Sequence, residues 1–368
     1  MGRNSVKMQP RIVDLFCGCG GFSLGAHNAG LAPTVSFDID PILTSSISRN
    51  FPGTKLALAD LGKIDGSDIE AAAGGQIDGL FGGPPCQGFS AMGHRREDDP
   101  RRDLLGHFFR LVSELKPAFF VMENVQGLGY KDTLPVLNKA LCILDGRYEL
   151  LGPFVLDAAD FGAATRRPRL FVIGTDKRRC DSLSLDDIRA VTKAPATVRD
   201  AIQDLSSSRF VADIEGFDTW EMDFDFESSG YARSLASPDR RFTGHRRTEH
   251  TPQVVVRFEA VKPGTVDKIG RHPRLAWDGQ CPTLRAGTGS DRGSYQAVRP
   301  LHPEEPRVIT VREAARLQGF PDSFKFHPTT WHSFRMIGNS VSPIMAKALL
   351  EKVYERLDID GKRQIAAE

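Results

Sequence analysis

The chain has 368 residues, of which 40% are hydrophobic and 26% charged, a composition typical of a folded globular protein with room for two domains. No apolar run approaches the ~20 residues that a transmembrane helix needs, and the polar N-terminus contains no signal-peptide core. We therefore expect a cytoplasmic protein that does not enter a membrane. Its six scattered cysteines are expected to be reduced and to bind no metal.

Short apolar runs alternate with helical patterns over the first half of the chain. The runs predicted as strands are Ile12–Phe16, Thr34–Phe37, Ile77–Phe81, Ala118–Met122 and Leu170–Gly174. Helices are predicted where apolar residues repeat from Leu104 to Leu115, ahead of Pro117, and from Ile344 to Val353. This alternation predicts an α/β fold with a doubly wound, Rossmann-like parallel sheet that binds ligands at the carboxyl ends of its strands.

The character of the chain changes after the first half. Residues 191–330 are rich in Arg, Gly, Pro and Thr, which predicts a second, smaller, loop-rich domain. Residues 1–190 then form the first domain, completed by a C-terminal helix within 335–368. Segment 204–227 carries eight acidic residues and one basic, whereas segment 240–274 carries nine basic and three acidic. The net charge of +1 thus hides a basic segment able to meet phosphates, with a solvated surface as the alternative.

A glycine-rich turn follows the first predicted strand. Gly18, Gly20 and Gly21 open a helix at a place where bare backbone can approach a ligand closely. Asp38 lies 20 residues beyond Gly18, at the end of the next strand, where an acidic side chain holds ribose hydroxyls in dinucleotide-type folds. The spacing favours a nucleoside-containing cofactor over tight packing alone. The turn is not the usual dinucleotide fingerprint, which disfavours a nicotinamide.

Cys86 stands on a stiff turn directly after a predicted strand. The preceding Pro84 and Pro85 fix their own φ angles and hold the backbone extended ahead of the thiol. A nucleophile needs such a mount, whereas a buried structural thiol behaves as a small hydrophobe and does not. Local chemistry alone leaves both interpretations of Cys86 open.

Five motifs resemble those of the DNA cytosine-5 methyltransferases and occur in the order of that family. They are Asp14–Phe22, Gly83–Gln87, Glu123–Val125, Arg312–Pro321 and Gly338–Val341. Only about residues 180–275 match nothing, and there the family carries its variable target-recognition region. The resemblance implies a methyltransferase that acts on duplex DNA at a specific sequence with S-adenosylmethionine as cofactor. It also implies a bacterial restriction-modification system or a methylase without a partner endonuclease.

The resemblance also implies roles for the reacting residues. Cys86 would add to C6 of a cytosine flipped out of the duplex, because the target carbon is inaccessible inside it. Glu123 would donate a proton or hydrogen bond to the ring N3. Arg167 and Arg169 would bind the base and hold the active-site loop. Thr165 stands where the family usually has glutamine, and we expect Thr165→Gln to change activity little if another group supplies the hydrogen bonds.

Further residues are implied to bind the cofactor and the DNA. The cofactor set is Phe16, Gly18, Gly20, Gly21, Asp38, Ile39, Asp60, Leu61, Pro85, Leu104, Asn339 and Ser340. The set for double-stranded DNA is Gln87, Ser90, Arg95 and Arg285. A strand-end cap is the alternative for Asp60, and a plain connector is the alternative for the loop around Arg285. One chain contains every catalytic part, so we expect a monomer, with any cognate restriction endonuclease acting separately.

Three other functions remain as alternatives at this point. An RNA cytosine-5 methyltransferase built on the same scaffold is the nearest in chemistry. A catalytically silent DNA-binding relative would have no chemical need for Cys86, Glu123 and Asn339 together. An oxidoreductase that binds a flavin or nicotinamide is the most distant.

Overall fold

The computed structural model describes residues 9–85, 103–223, 227–287 and 299–357. Four residues to which the sequence analysis gives roles lie outside these ranges: Cys86, Gln87, Ser90 and Arg95. Within the ranges, no helix is long and apolar enough to cross a lipid bilayer.

A seven-stranded sheet forms the centre of the fold. Its strands are β1 (Ile12–Leu15), β2 (Val35–Asp38), β3 (Lys55–Leu58), β4 (Gly79–Gly82), β5 (Phe119–Val125), β6 (Glu149–Asp157) and β7 (Pro168–Thr175). They lie in the order β3-β2-β1-β4-β5-β7-β6. The strands from β3 to β5 in this order are parallel to one another, and β7 runs antiparallel to both β5 and β6.

The Rossmann-like α/β fold is confirmed, but the sheet is mixed rather than wholly parallel. The connection from β6 to β7 contains no α-helix and reverses the chain, which gives antiparallel pairing. The β6 strand was not predicted because it lies at the sheet edge, is largely exposed and contains Gly152-Pro153, so no buried apolar run marks it. The β3 strand at the other edge escaped prediction for the same lack of burial.

The α-helices of the described residues pack on both faces of the sheet and beyond it. They are α1 (Gly21–Asn28), α2 (Ile47–Asn50), α3 (Gly66–Ala73), α4 (Asp103–Leu115), α5 (Leu134–Leu141), α6 (Leu185–Arg189), α7 (Val198–Ile202), α8 (Gly230–Leu235), α9 (Pro252–Glu259), α10 (Val311–Gln318), α11 (Thr330–Asn339) and α12 (Pro343–Arg356). The two helices predicted from apolar spacing correspond to α4 and α12.

Two hydrophobic clusters cover the two faces of the sheet. Helices α3, α4 and α5 supply one cluster, to which β5 contributes Phe120 and Met122. Helices α1 and α12 supply the other, to which β5 contributes Phe119 and Val121. This alternation along one strand is what a sheet buried on both faces requires. The C-terminal α12 approaches α1 so closely that a Cβ on Gly25 would lie 2.4 Å from the Cβ of Ala346.

The chain beyond the sheet is organised by the wholly buried helix α10. A small antiparallel sheet lies in this part, with β8 (Arg209–Ile214), β9 (Phe217–Glu221) and β10 (Arg241–Thr243) in the order β10-β9-β8. On α10, Arg312 donates hydrogen bonds to the carbonyls of Thr243, Pro321 and Phe324. Because these guanidinium donors are satisfied by carbonyls, a buried charged helix can hold the surrounding loops together.

A second arginine of α10 makes ion pairs across the same region. The guanidinium group of Arg316 lies 2.8 Å from an oxygen of Asp204 and 2.7 Å from an oxygen of Asp322. All three side chains are buried. Asp204, the first residue of the acidic segment, therefore has a structural role.

Candidate active site

The carboxyl ends of three neighbouring strands bring the predicted motifs together. Because β4 lies between β1 and β5, the glycine turn after β1, the Gly83–Pro85 turn after β4 and the acidic end of β5 meet at one edge of the sheet. Residues far apart in the sequence thereby become neighbours.

Glu123 and Arg169 form an ion pair at this edge. The Nε of Arg169 lies 2.9 Å from Oε1 of Glu123, and the residue Glu123 is only 8% exposed. The pairing follows from the strand register: Glu123 lies opposite Phe171, so Arg169 is its diagonal neighbour on the same face. The antiparallel direction of β7 thus places the arginine on the carboxylate.

Burial controls the protonation of Glu123. Removal of its carboxylate from water raises the pKa of Glu123 above the ordinary value, and the guanidinium groups of Arg169 and Arg167 oppose this rise only in part. The carboxylic acid form therefore persists to higher pH than it would on an exposed glutamate. A group of this kind can donate a proton to a ring nitrogen.

The turn that leads to Cys86 is fixed against Glu123. A Cβ on Gly83 would lie 2.8 Å from Oε2 of Glu123, so a side chain at this position would displace the carboxylate. The side chain of Asn124 donates a hydrogen bond of 3.1 Å to the carbonyl of Pro84. Asn124 lies within the motif Glu123–Val125, but its residue type alone predicted no separate role. It attaches the Gly-Pro-Pro turn to the end of β5.

Arg167 occupies a different place from Arg169. Its side chain is fully buried, with relative exposure 0%, and donates hydrogen bonds to the carbonyls of Leu284 at 3.1 Å and Gly338 at 2.7 Å. Burial lowers the pKa of Arg167 below its ordinary value. The resemblance implied that both arginines bind the base and hold the active-site loop; in the structure Arg169 contacts Glu123, whereas Arg167 contacts backbone carbonyls of two distant segments.

Thr165 is buried on the strand-like segment before β7. Its hydroxyl donates a hydrogen bond of 3.1 Å to the carbonyl of Cys281, and the backbones of the two residues form a bridge. The place where the family usually has glutamine is therefore closed by the segment around Cys281.

We expect Thr165→Gln to lower the stability of the protein, a property separate from its activity. The side chain of glutamine is larger than the closed space that threonine fills, and such overpacking lowers the free energy of unfolding by about 1–3 kcal/mol. Denaturant unfolding of the parental chain and the variant measures the difference, with Thr165→Ser, which keeps the hydroxyl, as control. Equal unfolding midpoints for the glutamine variant and the parental chain would show that the site is open.

The glycine turn has the backbone of a ligand-binding loop. Phe16, Gly18 and Gly20 have φ of 62°, 52° and 88°, in the left-handed region. For the bulky Phe16 this conformation is strained, and such strain concentrates at functional sites. A Cβ on Gly21 would lie 1.7 Å from Oγ of Ser340, so the two ends of the sequence meet here.

Asp38 fixes this turn to the end of β2. Its carboxylate oxygens accept hydrogen bonds from the backbone N–H of Gly18 at 2.8 Å and of Asp40 at 2.9 Å. Burial raises the pKa of Asp38 above its ordinary value. Each oxygen retains capacity for a second hydrogen bond, as a pair of ribose hydroxyls would need. The apolar side chains of Ile39 and Leu58 are exposed next to the ends of β2 and β3.

The remaining cofactor candidates lie on several elements. Asp60 accepts a hydrogen bond of 3.0 Å from the N–H of Gly62 and lies 3.5 Å from Nζ of Lys63, the geometry of a cap. Leu61 and Ser340 are buried, Pro85 and Leu104 are half-buried, and Asn339 is exposed at the end of α11. The DNA candidate Arg285 is exposed directly after Leu284, whose carbonyl accepts a hydrogen bond from Arg167.

An ion pair that the sequence analysis did not find supports the Asp38 loop. Nη2 of Arg335, on α11, lies 2.7 Å from Oδ2 of Asp40. Burial raises the pKa of Asp40, but the N–H of Leu43 and the guanidinium of Arg335 together hold it below the ordinary value. Since the N–H of Asp40 binds Asp38, Arg335 connects α11 to the proposed ribose site.

We expect Arg335→Gln to raise the Kd for S-adenosylmethionine by about 3- to 10-fold, because a charge-assisted bond that orients the loop is lost. Calorimetric titration measures the Kd, and kcat at saturating cofactor should change little. The matched control is Arg356→Gln, which breaks a comparable pair with Asp187. The same Kd in parental chain and Arg335→Gln would remove this role.

The sheet order and this edge define a Rossmann-like methyltransferase fold, and known structures share it. A protein from E. coli, described as a DNA modification methyltransferase encoded within a prophage, aligns with TM-score 0.80 and 37% identity over 94% of this chain and 99% of that one. The Dnmt2 methyltransferase of S. pombe aligns with TM-score 0.62 over 94% of this chain and 98% of that one. At 19% identity, this second likeness shows the fold alone.

The sequence comparisons identify the family. The family model for C-5 cytosine-specific DNA methylases matches residues 10–355. Type II methyltransferase M.XorII of Xanthomonas oryzae pv. oryzae is 39% identical, over 95% of this chain and 85% of that one. Type II methyltransferase M.DdeI of Desulfomicrobium norvegicum is 29% identical, over 93% of this chain and 88% of that one. The chain belongs to the C-5 cytosine-specific DNA methylase family and is a DNA (cytosine-5-)-methyltransferase, EC 2.1.1.37.

Proposed function

We propose that the chain transfers a methyl group from S-adenosylmethionine to C5 of a cytosine flipped out of duplex DNA, through a covalent bond from Cys86 to C6. The observation that carries the proposal is the buried Glu123 carboxyl, paired with Arg169 and packed against Gly83 of the turn that leads to Cys86. A nucleophile and an acid that approach one base from two adjacent strands are the pair that this reaction needs.

The residues divide the reaction between them. The Cys86 thiolate forms the S–C6 bond, and the π electrons of the C5–C6 bond move toward C5 while Glu123 stabilises the charge at N3 by donating a proton or hydrogen bond. The activated C5 then takes the methyl group, and the sulfonium that carried it leaves as a neutral thioether. The C5 proton passes to solvent and its electron pair returns to the ring, the S–C6 bond breaks to regenerate the thiolate, and N3 returns its proton to Glu123.

The residues at the ends of β1 and β2 fit a nucleoside cofactor. When bound, S-adenosylmethionine supplies an electrophilic methyl group. The left-handed turn at Gly18 and Gly20 brings bare backbone to the site, and the Asp38 carboxylate suits ribose hydroxyls. The exposed Ile39 offers an apolar surface to an adenine ring. Asn339 and Ser340 close the site from the end of α11.

We also propose a division of labour along the chain. Residues 1–190, completed by 335–368, carry catalysis, and residues 191–330 recognise the DNA target. The hydrogen bonds from Arg167 to the carbonyls of Leu284 and Gly338 support a fixed relation between the two parts. The DNA-contacting roles of Gln87, Ser90, Arg95 and Arg285 stay predictions.

The relatives favour a place in restriction-modification. M.XorII and M.DdeI are named type II methyltransferases. We propose the same role for this chain. As a cytoplasmic monomer, it would methylate its target sequences in the host DNA and so protect them from a restriction endonuclease that acts separately. The alternative is a methylase that has no partner endonuclease.

The test is bisulfite sequencing of a plasmid from a methylation-free host that expresses the chain, with a host that carries the empty vector as control. We expect complete conversion of cytosine except at one short recurring sequence, which then names the target. Two results together would overturn the proposal in favour of an RNA methyltransferase. They are conversion of every plasmid cytosine and a gain of 5-methylcytosine in the RNA of the same cells.

A further inference from the structure

Residues 262–274 form a tight hairpin within the basic segment, here called the basic hairpin. The N–H of Gly264 donates to the carbonyl of Arg274 at 3.0 Å, and the N–H of Arg274 donates to the carbonyl of Thr265 at 2.8 Å. Closer to the tip, the N–H of Asp267 donates to the carbonyl of His272 at 2.8 Å. These bonds fix the two arms and leave residues 268–271 to turn the chain.

The tip of the basic hairpin is preformed. The buried side chain of Asp267 accepts a hydrogen bond of 2.6 Å from the N–H of Gly270, and its other oxygen lies 3.5 Å from Nε of Arg257 on α9. A Cβ on Gly270 would lie 2.5 Å from the ring of His272. Arg271 has a φ of 58°, a strained conformation for a residue that is not glycine. The surrounding contacts therefore hold the tip in one shape.

This rigid tip displays an apolar side chain between two cations. Ile269 is 75% exposed, more than any other large apolar side chain of the described residues. Lys268 and Arg271 are exposed beside it, and neither forms an ion pair with a described residue. A lone exposed isoleucine is ordinary on a protein surface, but a strained, fixed turn that presents one between unpaired cations has the chemistry of a nucleic-acid contact.

A series of contacts connects the basic hairpin to the carboxyl ends of β1, β4 and β5, here called the catalytic edge. At its base, the ring of His272 donates a hydrogen bond of 2.8 Å to the carbonyl of Arg299. The chain then runs from Leu275 to Cys281, which bridges to Thr165, and on to Leu284, whose carbonyl accepts a bond from Arg167. The basic hairpin is therefore fixed in position relative to Arg167 and the segment around Leu284.

We propose that the tip of the basic hairpin enters a groove of the duplex and that Ile269 is a specificity-determining residue. Its side chain contacts an apolar base surface, for which the C5 methyl group of thymine in the major groove is the complementary chemistry. Lys268 and Arg271 bind the adjacent phosphates. The proposal rests on the proposed function, since it takes duplex DNA as the substrate.

The test separates base contact from phosphate contact. Methyl transfer to plasmid DNA from a methylation-free host, and the binding affinity for that DNA, are measured at increasing salt for the parental chain, Ile269→Ala and Lys268→Gln. Bisulfite sequencing of the products then gives the ratio of methylation at target sites to that at sites that differ from the target by one base. The controls are Val256→Ala, an exposed apolar side chain on α9, and Lys177→Gln, an exposed lysine that follows β7 at the opposite edge of the sheet.

We expect Ile269→Ala to lower the target-to-mismatch ratio by roughly tenfold, the loss of about one good base contact, without altering the salt dependence. Lys268→Gln should weaken action on all sites alike and reduce the slope of log affinity against log salt by about 0.9, the value for one phosphate. Both controls should match the parental chain.

Two outcomes overturn different claims. A parental chain that does not methylate DNA refutes the proposed function. An active parental chain whose Ile269→Ala and Lys268→Gln variants match it in ratio and slope refutes the role of the basic hairpin.

Discussion

Replacement of Cys86 with alanine is expected to abolish methyl transfer while binding of S-adenosylmethionine survives. Cytosine C5 is a poor nucleophile until a group adds at C6, so without the thiol no other step of the reaction can begin. The cofactor contacts assigned to the turn at Gly18 and to Asp38 do not involve the thiol. Transfer of a labelled methyl group to DNA and calorimetric titration with S-adenosylmethionine measure the two properties separately.

The matched control is Cys142→Ala. Cys142 is an exposed free cysteine that directly follows α5, and its removal should leave turnover unchanged. Normal turnover by Cys86→Ala would refute the covalent mechanism. Loss of cofactor binding together with activity would mean that the Cys86 turn is needed to build the cofactor site.

Replacement of Glu123 with glutamine is expected to lower kcat by about 10²- to 10⁴-fold, the usual contribution of a general acid. The amide keeps the size of the side chain but cannot deliver a proton to N3. Cofactor affinity should be preserved, since the proposed ribose site lies at Asp38, on a different strand. Single-turnover methyl transfer at saturating DNA measures the chemical step directly.

The pH profile tests the acid role independently. Burial raises the pKa of Glu123, so its protonated form is present below that pKa and is lost as the pH rises through it. The parental profile should therefore contain a limb that falls with rising pH and that is absent from Glu123→Gln. Glu149→Gln, an exposed carboxylate paired with Lys177 away from the site, is the control and should keep the parental profile. Parental rates in Glu123→Gln would remove the assigned role.

The sequence predicts the parts of the site better than their arrangement. Glu123 and Arg169 are both recognisable from their motifs, yet nothing local in either motif indicates that β7 runs antiparallel to β5. Their contact depends on that direction, because it makes Arg169 the diagonal neighbour of Glu123 on one face. A strand predicted from apolar content alone carries no information on its direction or its partner.

Local sequence also does not identify contact partners that are distant in the chain, which explains why some contacts of the site were not predicted. The pair between Arg335 and Asp40 joins α11 to the loop after β2, and neither residue has a local pattern that names its partner. Arg167 resembles Arg169 in the sequence, but the segment around Leu284 encloses it and turns it toward carbonyl groups. By contrast, the turn at Gly18 and Gly20 is predictable from local sequence, because glycines between a strand and a helix suit the left-handed backbone that both residues adopt.

The proposed reaction depends most on a covalent bond between Cys86 and C6 of the target cytosine. The direct measurement incubates the chain with S-adenosylmethionine and a duplex whose target cytosine carries fluorine at C5. Fluorine cannot leave as a proton does, so elimination is blocked after methyl transfer. We predict a protein–DNA adduct that survives denaturation, requires the cofactor and maps by peptide mass analysis to the peptide that contains Cys86. An active preparation that forms no adduct, or an adduct at another residue, would contradict the account.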